Sequence, residues 1–370
     1  MKYLLDISCL DTYSSGAKQR VLTLYSELIK ANRDSKFLVI YTSFTNIKKI
    51  FKYPNVSFKK NPFSQEKYLK KIVSILFLFF FMKLRLKKID VVEFFTLPFF
   101  KIKNSKIIIT IHDLRKIYFS QFFLNKLLLK FFYKYFLFKT NKIIVVSKAI
   151  KNEIIKNFGK LKIEVIYNTI DQSFLEKINK NEIIKIKKKY DLPDTFMLTV
   201  GHQEKRKNLL CLVKAMNILK INGQNKKLVI IGKKADQSDE IKRLINKLKL
   251  NSNIKIFSNL NDLEVRCFYQ LAKLFIFPSN YEGFGIPILE SMASNLPMVL
   301  SNTEIFREIT QNKYIYFDQH DPLSIASKIE YVLLNKQTQI QMINYGKKRI
   351  KHFTLNTQRK KIIKFYRKLN

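Results

Sequence analysis

The chain has 370 residues, which is enough for two domains of ordinary size, each with its own hydrophobic core. Hydrophobic residues make up 47% of it, including 32 phenylalanines, and this excludes an intrinsically disordered protein. Lys and Arg number 69 against 28 Asp and Glu, a net charge of +41, which indicates an anionic membrane surface or nucleic acid as a partner, or a bias towards residues with A/T-rich codons.

The first half of the chain alternates short apolar runs with amphipathic stretches. Strands are predicted at 2–8, 36–43, 106–113 and 142–147, and helices at 17–32 and 147–158. Nearly continuous apolar strands that alternate with helices are typical of a parallel sheet buried on both faces. The first strand reaches Asp6 before the apolar core of a signal peptide could form, so we expect no export signal.

Two other stretches of the first half are strongly apolar. Residues 72–82 (IVSILFLFFFM) are well short of the roughly 20 residues that a membrane-spanning helix needs. Residues 118–139 interleave aromatic side chains with lysines at positions 126, 130, 134 and 139. One interpretation of this second stretch is a core helix with lysines at its rim. The other is a surface that enters the interface of a bilayer.

After a lysine-rich stretch at 177–194 the same alternation begins again. Strands are predicted at 196–201, 227–232 and 274–279, and helices at 208–222 and 238–249. We therefore expect two α/β domains, 1–185 and 186–351. Such domains bind ligands at the carboxyl ends of their strands.

The stretch NYEGFGIPILESMASNLP (280–297) follows the last predicted strand and concentrates glycines and acids. Gly283 and Gly285 allow positive φ and a close approach of a ligand to the backbone. Pro287 suits the first turn of a helix, whose unpaired N–H groups favour a diphosphate. Acids beside a phosphate site are unfavourable unless they bind hydroxyls. Glu282 and Glu290 therefore indicate a ligand that has both a phosphate group and hydroxyls. Glu290 would hold the ribose of a nucleotide.

This stretch, within FPSNYEGFGIPILESMASNLPMVLSN (277–302), resembles the E-x7-E signature of retaining glycosyltransferases of glycosyltransferase family 4. The resemblance extends to LTVGHQEKRKNLLCLVKAM (198–216), to 147–158 and 165–174, and to the closing residues 352–370. It implies the GT-B fold, in which two Rossmann-like domains with parallel sheets face each other across a cleft. It also implies that the donor binds mainly to the second domain and that the closing helix packs back on the first.

The resemblance also implies roles for individual residues. Lys207 with Arg206 would hold the donor diphosphate, Glu282 would grip hydroxyls of the donor sugar, and His112, in TIHDL, would lie near the reacting carbon. Many relatives have Arg directly after the glycine of the VG segment, where this chain has His202. The expected catalytic residues are thus Glu282, His112, Lys207 and Arg206, and the expected donor-binding residues are Glu290, Gly283, Phe284, Gly285, Ile286 and Gly16.

Alternatives remain for the weaker motifs. Gly16, in YSSGAKQRVLTLYSEL, is either a neighbour of a phosphate or part of a plain helix start. The segment EKRKN is either a diphosphate site or a solvated basic helix start. The chain has no D-x-D motif, so we expect no metal or other cofactor, with cationic side chains and a helix start neutralising the diphosphate instead. Cys9, Cys211 and Cys267 have no paired or ligand-type spacing, which favours a reducing compartment and offers no zinc site.

By this resemblance the chain is a retaining, metal-independent glycosyltransferase. It would move a sugar from a nucleotide diphosphate-sugar to a glycan or lipid-linked acceptor in the synthesis of a bacterial surface polysaccharide such as O-antigen or capsule. The alternatives are a GT-B nucleotide-sugar epimerase or phosphorylase, and a basic membrane or nucleic-acid-binding protein with a decayed site. No nucleic-acid-binding motif is present, so we expect no nucleic-acid partner. The expected location is cytoplasmic, peripheral on the inner face of the cell membrane, against anionic lipid.

Overall fold

The computed structural model describes residues 1–8, 15–42, 47–63, 89–95, 104–119 and 123–369. It consists of two compact units, Met1–Thr169 with Leu355–Asn370, and Ile170–Thr354. The boundary expected after residue 185 lies later along the chain than this division. The 3-10 turn Gln172–Leu175 belongs to the second unit because the ring of Phe174 packs on Tyr269, with the ring centres 5.7 Å apart.

The first unit is built on a parallel sheet, which within the described residues has the strand order β3-β2-β1-β4-β5-β6-β7. The strands are β1 Lys2–Asp6, β2 Lys36–Tyr41, β3 Val56–Lys60, β4 Val91–Phe94, β5 Lys106–Ile111, β6 Lys142–Val145 and β7 Ile163–Val165. The helices are α1 Ser15–Arg20, α2 Ser26–Ala31, α3 Ile47–Ile50, α4 Arg115–Tyr118, α5 Phe123–Lys139 and α6 Lys148–Phe158, with a π-helical turn, Val21–Tyr25, joining α1 to α2.

The second unit also has a parallel sheet, with the order β10-β9-β8-β11-β12-β13. Its strands are β8 Met197–Val200, β9 Leu228–Ile231, β10 Ile254–Phe257, β11 Leu274–Phe277, β12 Met298–Ser301 and β13 Ile315–Phe317. Its helices are α7 Lys180–Lys189, α8 Leu209–Ile221, α9 Ser238–Lys247, α10 Asp262–Leu271, α11 Ile286–Ala293, α12 Glu304–Thr310, α13 Pro322–Leu334 and α14 Lys336–Arg349. Short 3-10 turns lie at Lys205–Lys207 and Ile350–Phe353.

Both sheets have the doubly wound order of a Rossmann fold. In each, the strand order reverses between the unit's first and fourth strands, β1 and β4 in one and β8 and β11 in the other. In open α/β sheets ligands bind outside the carboxyl ends of the strands at this switch point. In the second unit, that point lies beyond Val200 and Phe277.

The closing helix α15, Leu355–Arg367, belongs to the first unit, where it packs on α2 and on the π-helical turn. Its Ile362 and Tyr366 are buried in the same core as Tyr3 and Leu28. The Tyr366 hydroxyl donates a hydrogen bond to the fully buried carboxyl of Glu93 in β4. The last helix of the chain is thereby joined to the centre of the first sheet.

The seven strands predicted from the sequence are confirmed, and so are the four predicted helices. Among the described residues, six further strands were not predicted, namely β3, β4, β7, β10, β12 and β13. The apolar run at 72–82 lies outside the described residues. Within the part of the chain that the structure describes, no helix combines the length and the apolar character needed to cross a bilayer.

Candidate functional site

Three of the charged residues predicted in the second unit, Arg206, Lys207 and Glu282, meet at its switch point. β8 leads through Gly201 into the turn Lys205–Lys207, and β11 leads into the loop before α11. The two loops are tied together, because the N–H of Asn280 donates to the carbonyl of Arg206 at 2.8 Å. The carboxamide of Asn208 adds a second tie through the carbonyl of Pro278, at 3.1 Å.

Glu282 pairs with both expected cations of the site. Its Oε1 lies 2.5 Å from Nζ of Lys207, and its Oε2 lies 3.0 Å from Nη1 of Arg206. The side chains of Lys207 and Arg206 are only 9% exposed, and that of Glu282 is 11% exposed. Arg206 also pairs through Nε with Glu204 at 2.6 Å. Two buried cations therefore share one buried carboxylate and a second, more exposed one.

The pKa values of Glu282 and Lys207 are both lowered, but for different reasons. Burial raises the pKa of Glu282, but Lys207 and Arg206 outweigh it, so the pKa of Glu282 lies below its usual range. Burial lowers the pKa of Lys207 more than Glu282 raises it. His202 adds no third cation at neutral pH, because burial lowers its pKa despite the opposing effect of Glu204.

Glu290 lies one helical turn into α11 and has a different environment. It accepts a hydrogen bond from the hydroxyl of Tyr269 at 2.7 Å. Burial raises the pKa of Glu290 to about 7, although the bond from Tyr269 acts against that rise. Tyr269, on α10, is 1% exposed and was not predicted from the sequence. No motif points to it, because its partner is 21 residues further along the chain.

The start of α11 has the geometry expected of a phosphate-binding turn. Gly285 is at the N-cap with φ of +97°, and Pro287 is in the first turn. A side chain at Gly285 would also place its Cβ 3.2 Å from the ring of Phe306. The side chain of Phe284 is buried with its ring against that of Phe353, so it can offer a ligand only its backbone. Ile286 is half-buried, as is Gly283.

Two glycines outside the predicted set bring the backbone of neighbouring loops together. A Cβ at Gly232, after β9, would lie 1.9 Å from the carbonyl oxygen of Gly201. A Cβ at Gly201 would lie 3.1 Å from the side chain of Lys207. Asn208 is a further residue to which the sequence analysis gave no role. Its φ of +57° is left-handed, and its carboxamide reaches the carbonyl of Gln319 at 2.7 Å.

His112 and Gly16 belong to the first unit. His112 directly follows β5 and is half-buried, with its ring 6.5 Å from that of Phe95. Burial, with Arg20 and Arg115, lowers the pKa of His112 to about 3, so this imidazole is neutral at physiological pH. Gly16 is half-buried in α1. The structure thus brings Arg206, Lys207 and Glu282 into contact in the second unit. His112 and Gly16 lie in the first unit.

The arrangement in the second unit combines three features that suit a phosphorylated, hydroxylated ligand. Two cations and a helix start can neutralise a diphosphate. Two carboxyl groups can accept hydrogen bonds from hydroxyls. Among the described residues, no group of three or more His, Cys, Asp or Glu side chains has the arrangement to hold a metal ion.

Family models match both units of the chain. Residues 15–174 match the model described as Glycosyltransferase Family 4, and residues 180–349 match the model described as Glycosyl transferases group 1. The second match contains Arg206, Lys207, Glu282 and Glu290. The first contains Gly16 and His112.

Curated relatives and solved structures agree with these matches. The chain is 29% identical over 226 residues to the O-antigen chain mannosyltransferase RfbU of Salmonella typhimurium, over 60% of this chain and 60% of RfbU. The matched region thus spans less than two thirds of RfbU.

Two solved structures share the fold at low identity. A glycosyltransferase of Rickettsia africae has a TM-score of 0.76 at 19% identity, covering 100% of this chain and 98% of that one. Anabaena Alr3699/HepE in complex with UDP-glucose has a TM-score of 0.76 at 17% identity, covering 100% of both chains. With its two doubly wound units and its matches to both models, the chain belongs to the family 4 and group 1 glycosyltransferases of GT-B fold.

Proposed function

We propose that this protein is a retaining glycosyltransferase that moves a sugar from a nucleotide diphosphate-sugar to a hydroxyl of a glycan or lipid-linked acceptor. The observation that carries the proposal is the cluster of Lys207, Arg206 and Glu282 beside the start of α11. The pathway would be the synthesis of a bacterial surface polysaccharide, which is supported by the similarity to an O-antigen mannosyltransferase.

The donor diphosphate would bind to Lys207, Arg206 and the N–H groups at the start of α11. Both cations are already desolvated, so they lose little hydration when an anion arrives, and they neutralise the charge that develops on the leaving group. Glu282 has lone pairs left on each oxygen and would accept hydrogen bonds from hydroxyls of the donor sugar. Glu290, oriented by Tyr269, would hold the ribose.

The bond between the anomeric carbon and the diphosphate oxygen would break first, giving an oxocarbenium-like centre. The acceptor hydroxyl would then attack from the face that the diphosphate leaves and give its proton to an oxygen of the departing diphosphate, so the configuration is retained and no carboxylate needs to act as a nucleophile. His112, neutral because of its low pKa, would accept or donate a hydrogen bond at the sugar rather than supply charge. Gly16 would lie near a phosphate, and no metal would be required.

We propose that the acceptor side of this reaction lies at the inner face of the cell membrane, with the protein peripheral on anionic lipid. The excess of 69 Lys and Arg over 28 Asp and Glu supports an anionic surface as partner. The proposed partners are therefore a nucleotide-sugar donor, a glycan or lipid-linked acceptor and the membrane surface, without nucleic acid.

The test begins with a thermal-shift screen of nucleotides and nucleotide-sugars, since a ligand at 100 times its Kd stabilises the folded state by about 2.7 kcal/mol. The donor found is then incubated with candidate lipid-linked and glycan acceptors. We expect release of nucleoside diphosphate that depends on the acceptor, and a product whose anomeric configuration by NMR equals that of the donor. Release at the same rate without acceptor, conversion of the donor to an epimer, or an inverted product would contradict the proposal.

A further inference from the structure

Helix α5, Phe123–Lys139, turns a continuous apolar face outward. Leu124, Leu127, Leu128, Phe131, Phe132, Tyr135 and Phe138 are between 42% and 70% exposed. Most of them follow one another at spacings of three or four residues, which places them along one side of the helix. A helix of a folded protein normally turns that side towards the core.

The opposite side of α5 is fixed to the first unit. Leu137 is 1% exposed, and Tyr133 and Phe136 are 8% exposed. The ring of Tyr133 stacks on that of Phe158 in α6 at 6.0 Å and 13°. The interpretation of this stretch as a core helix with lysines at its rim is therefore correct for one side only. The other side is apolar and exposed, and its orientation is set by well-packed core contacts.

The exposed face is large for a protein without a partner. An aromatic side chain covers about 150–250 Å², so seven large side chains that are about half exposed present on the order of 700 Å². The largest apolar patch of a typical monomer is about 300–600 Å². Tyr118 and Phe119, at the end of the neighbouring helix α4, are a further 41% and 45% exposed. Scattered surface residues do not account for a patch of this kind.

We infer that the outward face of α5 inserts into the interface of an anionic bilayer and orients the first unit on the membrane. Lys130 and Lys134 flank the apolar face, and Lys139 is exposed near its end. Apolar and aromatic bulk beside lysines matches the layering of acyl chains under anionic headgroups. A second copy of this chain is a poor occupant, because it would bring two sets of these lysines together on molecules that each carry +41.

The helix would lie along the membrane plane. Seventeen residues rise about 26 Å, less than the roughly 30 Å of the hydrocarbon core, and lysines recur along the helix. Because insertion of apolar side chains is not screened by ions, binding should survive salt that abolishes a purely electrostatic contact. The lysines should set the preference for anionic lipid. This inference rests on the proposed membrane location, but it can be tested without any sugar substrate.

The first experiment uses the absence of tryptophan from the chain. Phe131→Trp places a single fluorophore on the face, and Leu334→Trp, at a site that is 77% exposed in the second unit, is the matched control. With vesicles of phosphatidylcholine containing phosphatidylglycerol, we expect a blue shift for Phe131→Trp and quenching by lipids brominated in their acyl chains. The emission of Leu334→Trp should stay that of a residue in water.

The second experiment is vesicle flotation at low and at 0.5 M salt. Leu124→Ser, Leu127→Ser and Phe131→Ser combined should lower the fraction bound at least tenfold at both salt concentrations. The matched control combines Ile221→Ser, Leu323→Ser and Leu334→Ser, three residues of 64–77% exposure in the second unit, and should bind as the wild type does. Lys126→Gln, Lys130→Gln and Lys134→Gln combined should remove the preference for anionic lipid.

Three results would overturn the inference. The first is a folded wild type that does not float with anionic vesicles at low salt. The second is a Phe131→Trp variant that floats while its emission does not shift, and the third is a dimer in ultracentrifugation that only the α5 triple variant breaks. Circular dichroism and the unfolding midpoint of each variant show whether it is folded. A wild-type protein that binds vesicles but transfers no sugar would contradict the proposed reaction, and the inference about the outward face of α5 would still stand.

Discussion

Glu282 is bonded to two cations at once, and this changes what its removal should do. The resemblance implies only contact with sugar hydroxyls, whereas in the structure each of its oxygens also pairs with Lys207 or Arg206. Breaking a buried pair leaves an uncompensated charge, which is costlier than the pair itself is stabilising. An anion at the site replaces the missing charge. Stability and affinity should therefore move in opposite directions when Glu282 is neutralised.

For Glu282→Gln we expect the unliganded protein to lose about 3 kcal/mol of stability. Nucleoside diphosphate should bind at least as tightly as in the wild type, and transfer should fall at least a hundredfold, because the sugar contact is lost. Calorimetry, thermal unfolding and initial rates measure the three quantities. Glu204→Gln is the control, since Glu204 is 32% exposed and pairs only with Arg206 in the cluster. Equal losses of diphosphate affinity and of transfer would mean that Glu282 acts by positioning the cations.

The pair of Glu290 and Tyr269 predicts a pH dependence. Because the pKa of Glu290 is about 7 rather than 4.5, its contribution to stability is full below pH 4.5 and is lost as the pH rises through 7. Binding of ribose to the carboxylate has the opposite sign, so the affinity for a nucleotide-sugar should rise through pH 7. A nucleotide-sugar is the suitable probe because its diphosphate has no proton that titrates near neutrality.

Tyr269→Phe removes the hydroxyl that stabilises the carboxylate of Glu290. We expect the midpoint of the pH dependence to move upwards by roughly half to one unit, as the loss of a bond of about 1 kcal/mol requires. Glu290→Gln, the control, should abolish the dependence and weaken binding. Titration calorimetry between pH 5.5 and 8.5 measures both. A midpoint that does not move in Tyr269→Phe would show that the hydroxyl does not tune this carboxyl group.

At the scale of elements, the site depends on how α11 begins. Gly285 and Gly159 have nearly the same positive φ, +97° and +89°, and each lies at a helix end. A Cβ at Gly159 would meet nothing within 4 Å, whereas one at Gly285 would press on Phe306 and Ile288. The two positions therefore separate the cost of the backbone conformation from the cost of disturbing the site.

We expect Gly285→Ala to lose about 1 kcal/mol of stability from its left-handed backbone, and Gly159→Ala to lose about 1–3 kcal/mol, because its ψ of −173° lies in a region that is essentially restricted to glycine. Only Gly285→Ala should also weaken nucleoside diphosphate binding, by tenfold or more, because the N–H groups of the helix start would be displaced. Chemical unfolding and calorimetry of the two variants check this. A Gly285→Ala protein with wild-type diphosphate affinity would exclude the start of α11 from the diphosphate site.

At the scale of the whole molecule, the proposed neutralisation of the diphosphate by Lys207, Arg206 and a helix start predicts the response to chelators. Initial rates should be unchanged in excess EDTA and should not rise when Mg²⁺ or Mn²⁺ is added. Lys207→Ala should abolish transfer, and divalent ions should not restore it. Turnover that disappears on chelation and returns with either ion would refute metal independence.

Much of the architecture could be predicted because it depends on local patterns. The strands predicted correctly are apolar runs such as 106–111 and 228–231, buried on both faces, and such runs are visible without tertiary information. The strands missed are short, and several do not look apolar. β3 is half-exposed, β7 has three residues, and β4 includes Glu93. Glu93 is tolerated there because three hydroxyls, from Tyr25, Thr110 and Tyr366, converge on its carboxyl group.

The sequence by itself determined the fold class, and it predicted the residues of the candidate site other than Tyr269, since the glycines, the two acids and the basic pair lie in short segments whose spacing reflects a strand, a turn and a helix. Only the tertiary structure decided how those residues are paired. Glu282 meets Lys207 across 75 residues because the neighbouring strands β8 and β11 end at the same edge of the sheet. Tyr269 meets Glu290 across 21 residues because α10 and α11 contact each other. The tertiary structure also decided which side of α5 is exposed. Large apolar residues lie on both sides of that helix and its lysines are spread along it, so its sequence has no purely polar face to show which side meets solvent.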